Sequence, residues 1–207
     1  QAGLFSFEFN YLGEKIITNS GYFQNYKHQL NIISKSTATH STLVLNSTSI
    51  VNFDRDKYGH MLVSKNFKFF NKEIKSEKNF WLIRASHDAY SKSNGVIHER
   101  EIQYFPESYK LSGCDKLIKT KNFKSCDFEL RFHLLPDIKL TKLLNNECIL
   151  IESNNAGWKF TCKNHNIDIE TGLYFGMKNK YLENKNIFVS GLTSPEEQNI
   201  FWEIEKI

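Results

Sequence analysis

Phe128-Glu129-Leu130-Arg131-Phe132-His133-Leu134 alternates apolar and polar side chains without a break. Successive side chains of an extended strand point to opposite faces. Phe128, Leu130, Phe132 and Leu134 therefore share one face, and Glu129, Arg131 and His133 the other. A helix would scatter the same apolar residues around its girth. The segment reads as a strand with one buried face.

The same period recurs toward both ends. Phe5, Phe7 and Phe9 alternate with Ser6 and Glu8, while Ile200, Trp202 and Ile204 lie opposite Glu203 and Glu205. Further strands are expected at 15–19, 42–46, 80–86, 96–105, 148–152, 158–162, 173–177 and 187–190. Turn signals separate them: Asn94-Gly95, a break at Ser112-Gly113, and Asn154-Asn155-Ala156-Gly157. No amphipathic run is long enough for a helix. Ser194–Gln198, with Pro195 at its first position, has room for one helical turn. The polar, poorly periodic stretch from Asn52 to Asn66 reads as a long loop. Many short strands without helices between them predict an all-β fold, a large antiparallel β-sandwich of two packed sheets with little or no helix.

A chain of 207 residues can bury a full core without covalent staples. A net charge of +4 with no block of Lys or Arg gives no indication of a nucleic-acid partner, but suits an acidic polysaccharide. No apolar run is long enough to span a membrane. Cys114, Cys126, Cys148 and Cys162 match no zinc-ribbon spacing and read as free thiols, with a Cys114–Cys126 bridge open if those segments pair. The chain opens at Gln1 and runs at once into a strand pattern, which reads as the interior of a longer protein.

Several stretches, in order, resemble the C-terminal domain of heparinase II/III-like polysaccharide lyases. They are Ala2-Gly3-Leu4-Phe5-Ser6-Phe7-Glu8, Ile16-Ile17-Thr18-Asn19-Ser20-Gly21 and Ser36-Thr37-Ala38-Thr39-His40-Ser41-Thr42-Leu43. Ala85-Ser86-His87-Asp88-Ala89-Tyr90 follows, leading through Gly95-Val96-Ile97-His98-Glu99-Arg100 to Leu111-Ser112-Gly113-Cys114-Asp115. Arg131-Phe132-His133-Leu134, Gly157-Trp158-Lys159-Phe160 and the strand of Trp202 complete the series. The resemblance implies one sandwich domain over residues 1–207, with an N-terminal α/α toroid of the parent outside this chain. It implies β-elimination at a uronic acid of an acidic polysaccharide, in a cleft between toroid and sandwich, with the compartment open between bacterial periplasm and cytoplasm. Removing a proton α to a carboxylate needs a positioned base and neutralisation of that carboxylate. The resemblance places those groups largely in the toroid.

Related lyases hold zinc in the sandwich on a His, an Asp and a second His in that order. Here His40, Asp54 and His87 match, with Asp56 the alternative carboxylate. Two imidazoles and a carboxylate suit Zn²⁺ with water as fourth ligand. From spacing alone, His40 and His87 are strand histidines held by hydrogen bonds. Some relatives carry a catalytic His two residues before the metal-binding one; this chain has Ala38. Tyr90 is the aromatic expected nearest a substrate, or else a strand-end tyrosine with a solvated hydroxyl. Arg100 shares a strand face with His98 and suits a substrate carboxylate or sulfate, or a cross-strand ion pair with Glu99 or Glu101 neighbours. Trp158 and Trp202 read as core, and His133 as a satisfied surface or inter-sheet histidine. The alternative to a lyase domain is a non-catalytic sandwich that binds a glycan or a protein.

Overall fold

The computed structural model describes residues 1–55, 57, 61–64, 67–143 and 148–207. In chain order the elements begin with strands β1 (Phe9–Tyr11) and β2 (Glu14–Ile17), a short helix α1 (Gln29–Ile33) and a 3-10 turn at Thr37–Thr39. Then come β3 (Leu43–Leu45), β4 (Asn52–Arg55), β5 (Met61–Ser64), β6 (Phe69–Ser76), β7 (Trp81–His87), β8 (Val96–Phe105), β9 (Lys110–Lys119) and β10 (Asp127–His133). The last are β11 (Lys139–Lys142), β12 (Cys148–Glu152), β13 (Gly157–Cys162), β14 (Ile167–Met177), β15 (Lys180–Leu192) and β16 (Gln198–Lys206).

An eight-stranded sheet runs β11-β12-β13-β16-β9-β8-β7-β6, and a four-stranded sheet runs β14-β15-β10-β3. Their neighbouring strands pair antiparallel throughout. The fold is the expected all-β sandwich. β10 supplies Phe128, Leu130 and Phe132 to the core, and β16 supplies Ile200, Trp202 and Ile204. Phe132 meets Trp202 with ring centroids 4.9 Å apart and Phe160 at 4.8 Å, which fixes the two sheets face to face.

The inner face of the larger sheet extends beyond the smaller one. Register places Ile74, Ile83 and Ile102 in one row across β6, β7 and β8, ending at Gly113 on β9. Ile74 is 79% exposed, Ile83 59% and Trp81 54%. Phe7 stacks on Trp202 at 5.5 Å and Phe9 meets Trp158 edge-on at 5.2 Å, so the N-terminal segment covers only the middle of this face. The Phe5–Phe9 alternation does point inward, but only Phe9 lies in a strand, because Phe5 takes a left-handed φ of 57°.

Three local expectations change, and the free-thiol reading of the cysteines holds. Ser112-Gly113 interrupts nothing: both lie inside β9, and the reversal comes at Pro106–Ser108, closed by Tyr109 at φ 47°. The stretch from Asn52 to Asn66 contains the β4–β5 hairpin, a two-stranded ribbon held by backbone pairing and therefore weakly marked in side-chain periodicity. Ser194–Gln198 forms no helical turn, because the Gln198 side chain accepts from the Ser194 amide and Ser194 Oγ accepts from the Glu196 amide. All four cysteines are free thiols. Cys114 is paired in register with Glu101 and Phe201, away from Cys126.

Gly113 is required by packing: a Cβ there would overlap the Trp202 ring. Gly113→Ala is expected to destabilise the chain by roughly 1–3 kcal/mol, the usual cost of overfilling a packed core. Urea unfolding of the two proteins measures it.

Candidate functional site

Arg100 on β8 and Asp115 on β9 are direct cross-strand partners on the inner face. Asp115 has no exposed surface. Its Oδ1 accepts from Arg100 Nε at 2.7 Å and from His98 Nε2 at 2.6 Å. Its Oδ2 accepts from Arg100 Nη2 at 3.0 Å and from Trp202 Nε1 at 2.9 Å. Both oxygens are thus doubly bonded, which fills the capacity of a carboxylate. Arg100 Nη1 donates to the carbonyls of Phe5 at 2.9 Å and Ser41 at 2.8 Å. The Phe5 grip accounts for the left-handed turn there.

The imidazoles continue the chain in one direction. The Ala89 amide can only donate, so His87 Nδ1, 3.2 Å away, accepts. The His87 proton then sits on Nε2 and is donated to His98 Nδ1 at 3.2 Å, and His98 Nε2–H goes to Asp115. Burial pushes the Asp115 pKa up, but the Arg100 charge and the His98 and Arg100 hydrogen bonds outweigh it and hold it well below the carboxylate range. Burial drives His87 down to about 2 and lowers His98, so both are neutral.

Another buried histidine ties the segments at Ser20 and Ala38 to β10. His133 Nε2 donates to Ala38 O at 3.0 Å and Nδ1 accepts from Ser20 Oγ at 3.0 Å, with burial lowering its pKa to about 4. His133 is therefore a satisfied inter-sheet histidine.

The structure distributes the expected site residues as follows. His40 is buried; its Nδ1 donates to Ser36 O at 2.8 Å and its Nε2 meets the Gln1 side-chain amide at 2.5 Å. A ligating imidazole commonly donates its other N–H to a carbonyl in this way. His87 has both nitrogens committed to protein partners. Asp54 is exposed on β4, and Asp56 lies outside the described residues. The donor types suit zinc, but among the described residues no three His, Cys, Asp or Glu side chains are grouped as metal ligands.

Tyr90 is a core residue whose hydroxyl donates to Leu43 O at 3.0 Å, in place of a solvated or substrate-facing hydroxyl. Burial holds its pKa above the usual tyrosine value. Arg100 does form a cross-strand ion pair, with Asp115 opposite it; Glu101 instead pairs with Arg84. With every donor group of Arg100 committed and 3% of its surface exposed, it is a structural cation in this fold. The sequence marks His98 only as sharing a strand face with Arg100, and gives Asp115 no role. The available signal is parity: Asp115 interrupts the inward row Leu111, Gly113, Leu117 on β9.

Residues 1–203 match the model of the heparinase II/III-like family, C-terminal region. The chain belongs to this family. The domain superposes on a heparan sulfate lyase, HepC, from Pedobacter heparinus with a TM-score of 0.77 at 14% identity, covering 97% of this chain and 30% of that one. It superposes on a heparinase III, the BT4657 gene product, with a TM-score of 0.74 at 13% identity, covering 98% of this chain and 29% of that one. A further heparinase III gives a TM-score of 0.67 at 14% identity, covering 98% of this chain and 29% of that one. No curated protein matches the sequence. At such identities the superpositions show the fold, and the domain spans less than a third of those structures' length.

Removing the charge partner of Arg100 leaves a buried cation without compensation. Asp115→Ala should cost about 3–5 kcal/mol in urea unfolding, well above Asp54→Ala on the exposed hairpin. The pH dependence follows from the histidines. His133 is neutral when folded and, on unfolding, titrates at its ordinary value of 6.5, so its contribution is complete above pH 6.5 and is lost as pH falls to about 4. Melting temperature is expected to hold between neutral and mildly alkaline pH and to drop across that acid window, with His133→Asn giving a shallower slope. An equally steep slope in that variant would contradict the assignment.

Proposed function

We propose that the domain is the C-terminal sandwich of a polysaccharide lyase. The whole enzyme would cleave a uronate-containing acidic polysaccharide by β-elimination, with this domain forming one cleft wall. The observation that carries the division of labour is that the histidines at the family positions, His40, His87, His98 and His133, are all buried and hydrogen-bonded within the domain. A general base has to reach the proton it abstracts. These imidazoles are placed to brace the wall, and Ala38 supplies no base. The base and the groups that neutralise the uronate carboxylate are therefore assigned to the N-terminal domain of the same parent. The apolar overhang of Ile74, Ile83 and Trp81 supports a second body packed on that side, since contiguous exposed apolar surface marks interaction sites.

Zinc on His40, Asp54 and His87 is a separable part of this proposal. His40 has the hydrogen-bonding of a ligand, with Nδ1–H on Ser36 O and Nε2 turned to Gln1. Binding would require Gln1 to leave Nε2 and His87 to release His98. Its role would be to brace the loops beside the cleft. Metal analysis of protein purified without chelator should find one zinc per chain, lost in His40→Ala. A metal-free, fully folded parent would end that part. The Ala38 substitution favours a second reading, a glycan-binding sandwich without lyase activity.

The parent protein, assayed against a panel of acidic glycans, should generate the unsaturated uronate absorbance, and residues 1–207 alone should generate none. Product from residues 1–207 alone, or no product from the parent on any uronate-containing glycan, would overturn the reading.

A further inference from the structure

Strand β6 is the outer edge of the eight-stranded sheet. β7 pairs with one side of it, and among the described residues no strand pairs with the other. A bulge, with Asn71 at φ 50°, breaks its register between Phe70 and Glu73, so the regular part of the edge is Glu73-Ile74-Lys75-Ser76. The Glu77 amide donates to Phe80 O across the turn into β7. Backbone groups of an antiparallel ladder alternate in direction from residue to residue. Glu73 and Lys75 therefore turn theirs to β7, while Ile74 and Ser76 present N–H and C=O groups to the free edge.

The side chains along this edge are self-complementary. Glu73 and Lys75 lie on the outer face. An ion-pair ladder runs there across the sheet from Glu101 to Arg84 to Glu73, and Lys75 Nζ meets Glu73 Oε1 at 2.6 Å. Ile74 lies on the inner face and ends the row Ile102, Ile83, Ile74, with most of its surface in water. Edge strands often carry a charge at such an inward position, which discourages pairing; this one carries isoleucine. Antiparallel pairing of two copies about a two-fold axis has few registers, because only residues that face the edge can exchange hydrogen bonds. An axis at Glu73 or at Lys75 sets like charges directly opposite, which destabilises. An axis at Ser76 lies at the last residue of the strand and leaves little to pair. An axis at Ile74 sets Ile74 against the partner's Ile74 and Glu73 against the partner's Lys75, twice by symmetry.

We infer that two copies of this chain join through β6 about a two-fold axis at Ile74, making one continuous sheet. The axis extends both patterns already present. The Glu101–Arg84–Glu73 ladder gains the partner's Lys75, and the isoleucine row runs on into the partner's Ile74 and Ile83. Each copy uses its single β6 edge, so the contact closes as a dimer instead of growing into a fibre. The inner face stays available to the second body proposed above, so this inference goes beyond the lyase reading and does not depend on it. A strand pair this short is smaller than the roughly 800 Å² per partner of a standard interface, so the dimer is weak and sensitive to salt.

Sedimentation equilibrium of residues 1–207, from micromolar to near-millimolar protein, tests it. Reversible dimerisation is expected, weakening as salt is raised. Ile74→Pro removes an N–H that faces the free edge and leaves the β6–β7 ladder intact. It should weaken dimerisation by about tenfold or more with little change in melting. Glu73→Lys alone and Lys75→Glu alone should each be monomeric, because each opposes like charges beside the axis. Mixed in equal amounts, those two variants should associate, since each supplies the charge that the other lacks, and the double variant Glu73→Lys/Lys75→Glu should dimerise again. Melting of every variant is recorded alongside, so that loss of the dimer is separated from loss of the fold. A parent chain that stays monomeric at every concentration, a dimer indifferent to Ile74→Pro, or folded charge variants that fail to associate when mixed would overturn the inference.

Discussion

The carboxylate of Asp115 sits with no solvent contact in the interior of a sandwich. An ionised group there is tolerated only if its charge is met and its lone pairs are filled, because the desolvation cost otherwise exceeds anything packing supplies. Arg100, His98 and Trp202 meet that demand from two neighbouring strands, β8 and β16. The same constraint then spreads. Arg100 has donors left over, and it spends them on Phe5 O and Ser41 O, tying the N-terminal segment and the loop before β3 to the large sheet. His98 passes its orientation to His87, and His87 to the turn that holds Tyr90. One buried charge thus fixes strands, strap and loop together.

The inner face of the eight-stranded sheet changes character along its strands. Near His87, His98 and Asp115 it is polar and saturated. Around Trp202 and Trp158 it is packed with aromatic rings against the smaller sheet. At Ile74, Ile83 and Trp81 it is apolar and uncovered. These regions suit different tasks: internal bracing, stability, and contact with another body. The segments pinned by His133 lie on the smaller sheet's side, where Ser20 and Ala38 are held. None of the buried imidazoles described is available as a base, because each is enclosed and hydrogen-bonded within the domain.

Much of the sandwich was legible in the sequence, because strand burial imposes a period of two on side chains. β8 and β12 fall at the expected bounds, and the apolar rows of β10 and β16 point inward as read. Ser112-Gly113 misled because the pair carries turn chemistry, while the glycine is there to admit the Trp202 ring, a neighbour far away in sequence. The β4–β5 hairpin escaped because backbone pairing, rather than a buried face, holds it. Arg100 was read as a cross-strand ion pair in kind, but its partner depended on the β8–β9 register, which places Asp115 opposite it. Tyr90 looked like a site residue beside His87, and the fold turned its ring into the core.

Alternation by itself therefore determined the all-β class, and the ordered motifs pointed to the family, because both are written in local order along the chain. Tertiary structure decided which polar residues are spent on holding the fold and which remain free to meet a ligand. His40, His87 and Arg100 are equally polar on paper. Strand register and sheet packing place them beside Ser36, His98 and Asp115, and those partners absorb their hydrogen-bonding capacity. The opening strand carries the same lesson. Phe128, Leu130 and Phe132 were assigned to the core by period alone, whereas His133 on the same strand is buried only because Ser20 and Ala38, brought from other parts of the chain, satisfy both of its nitrogens.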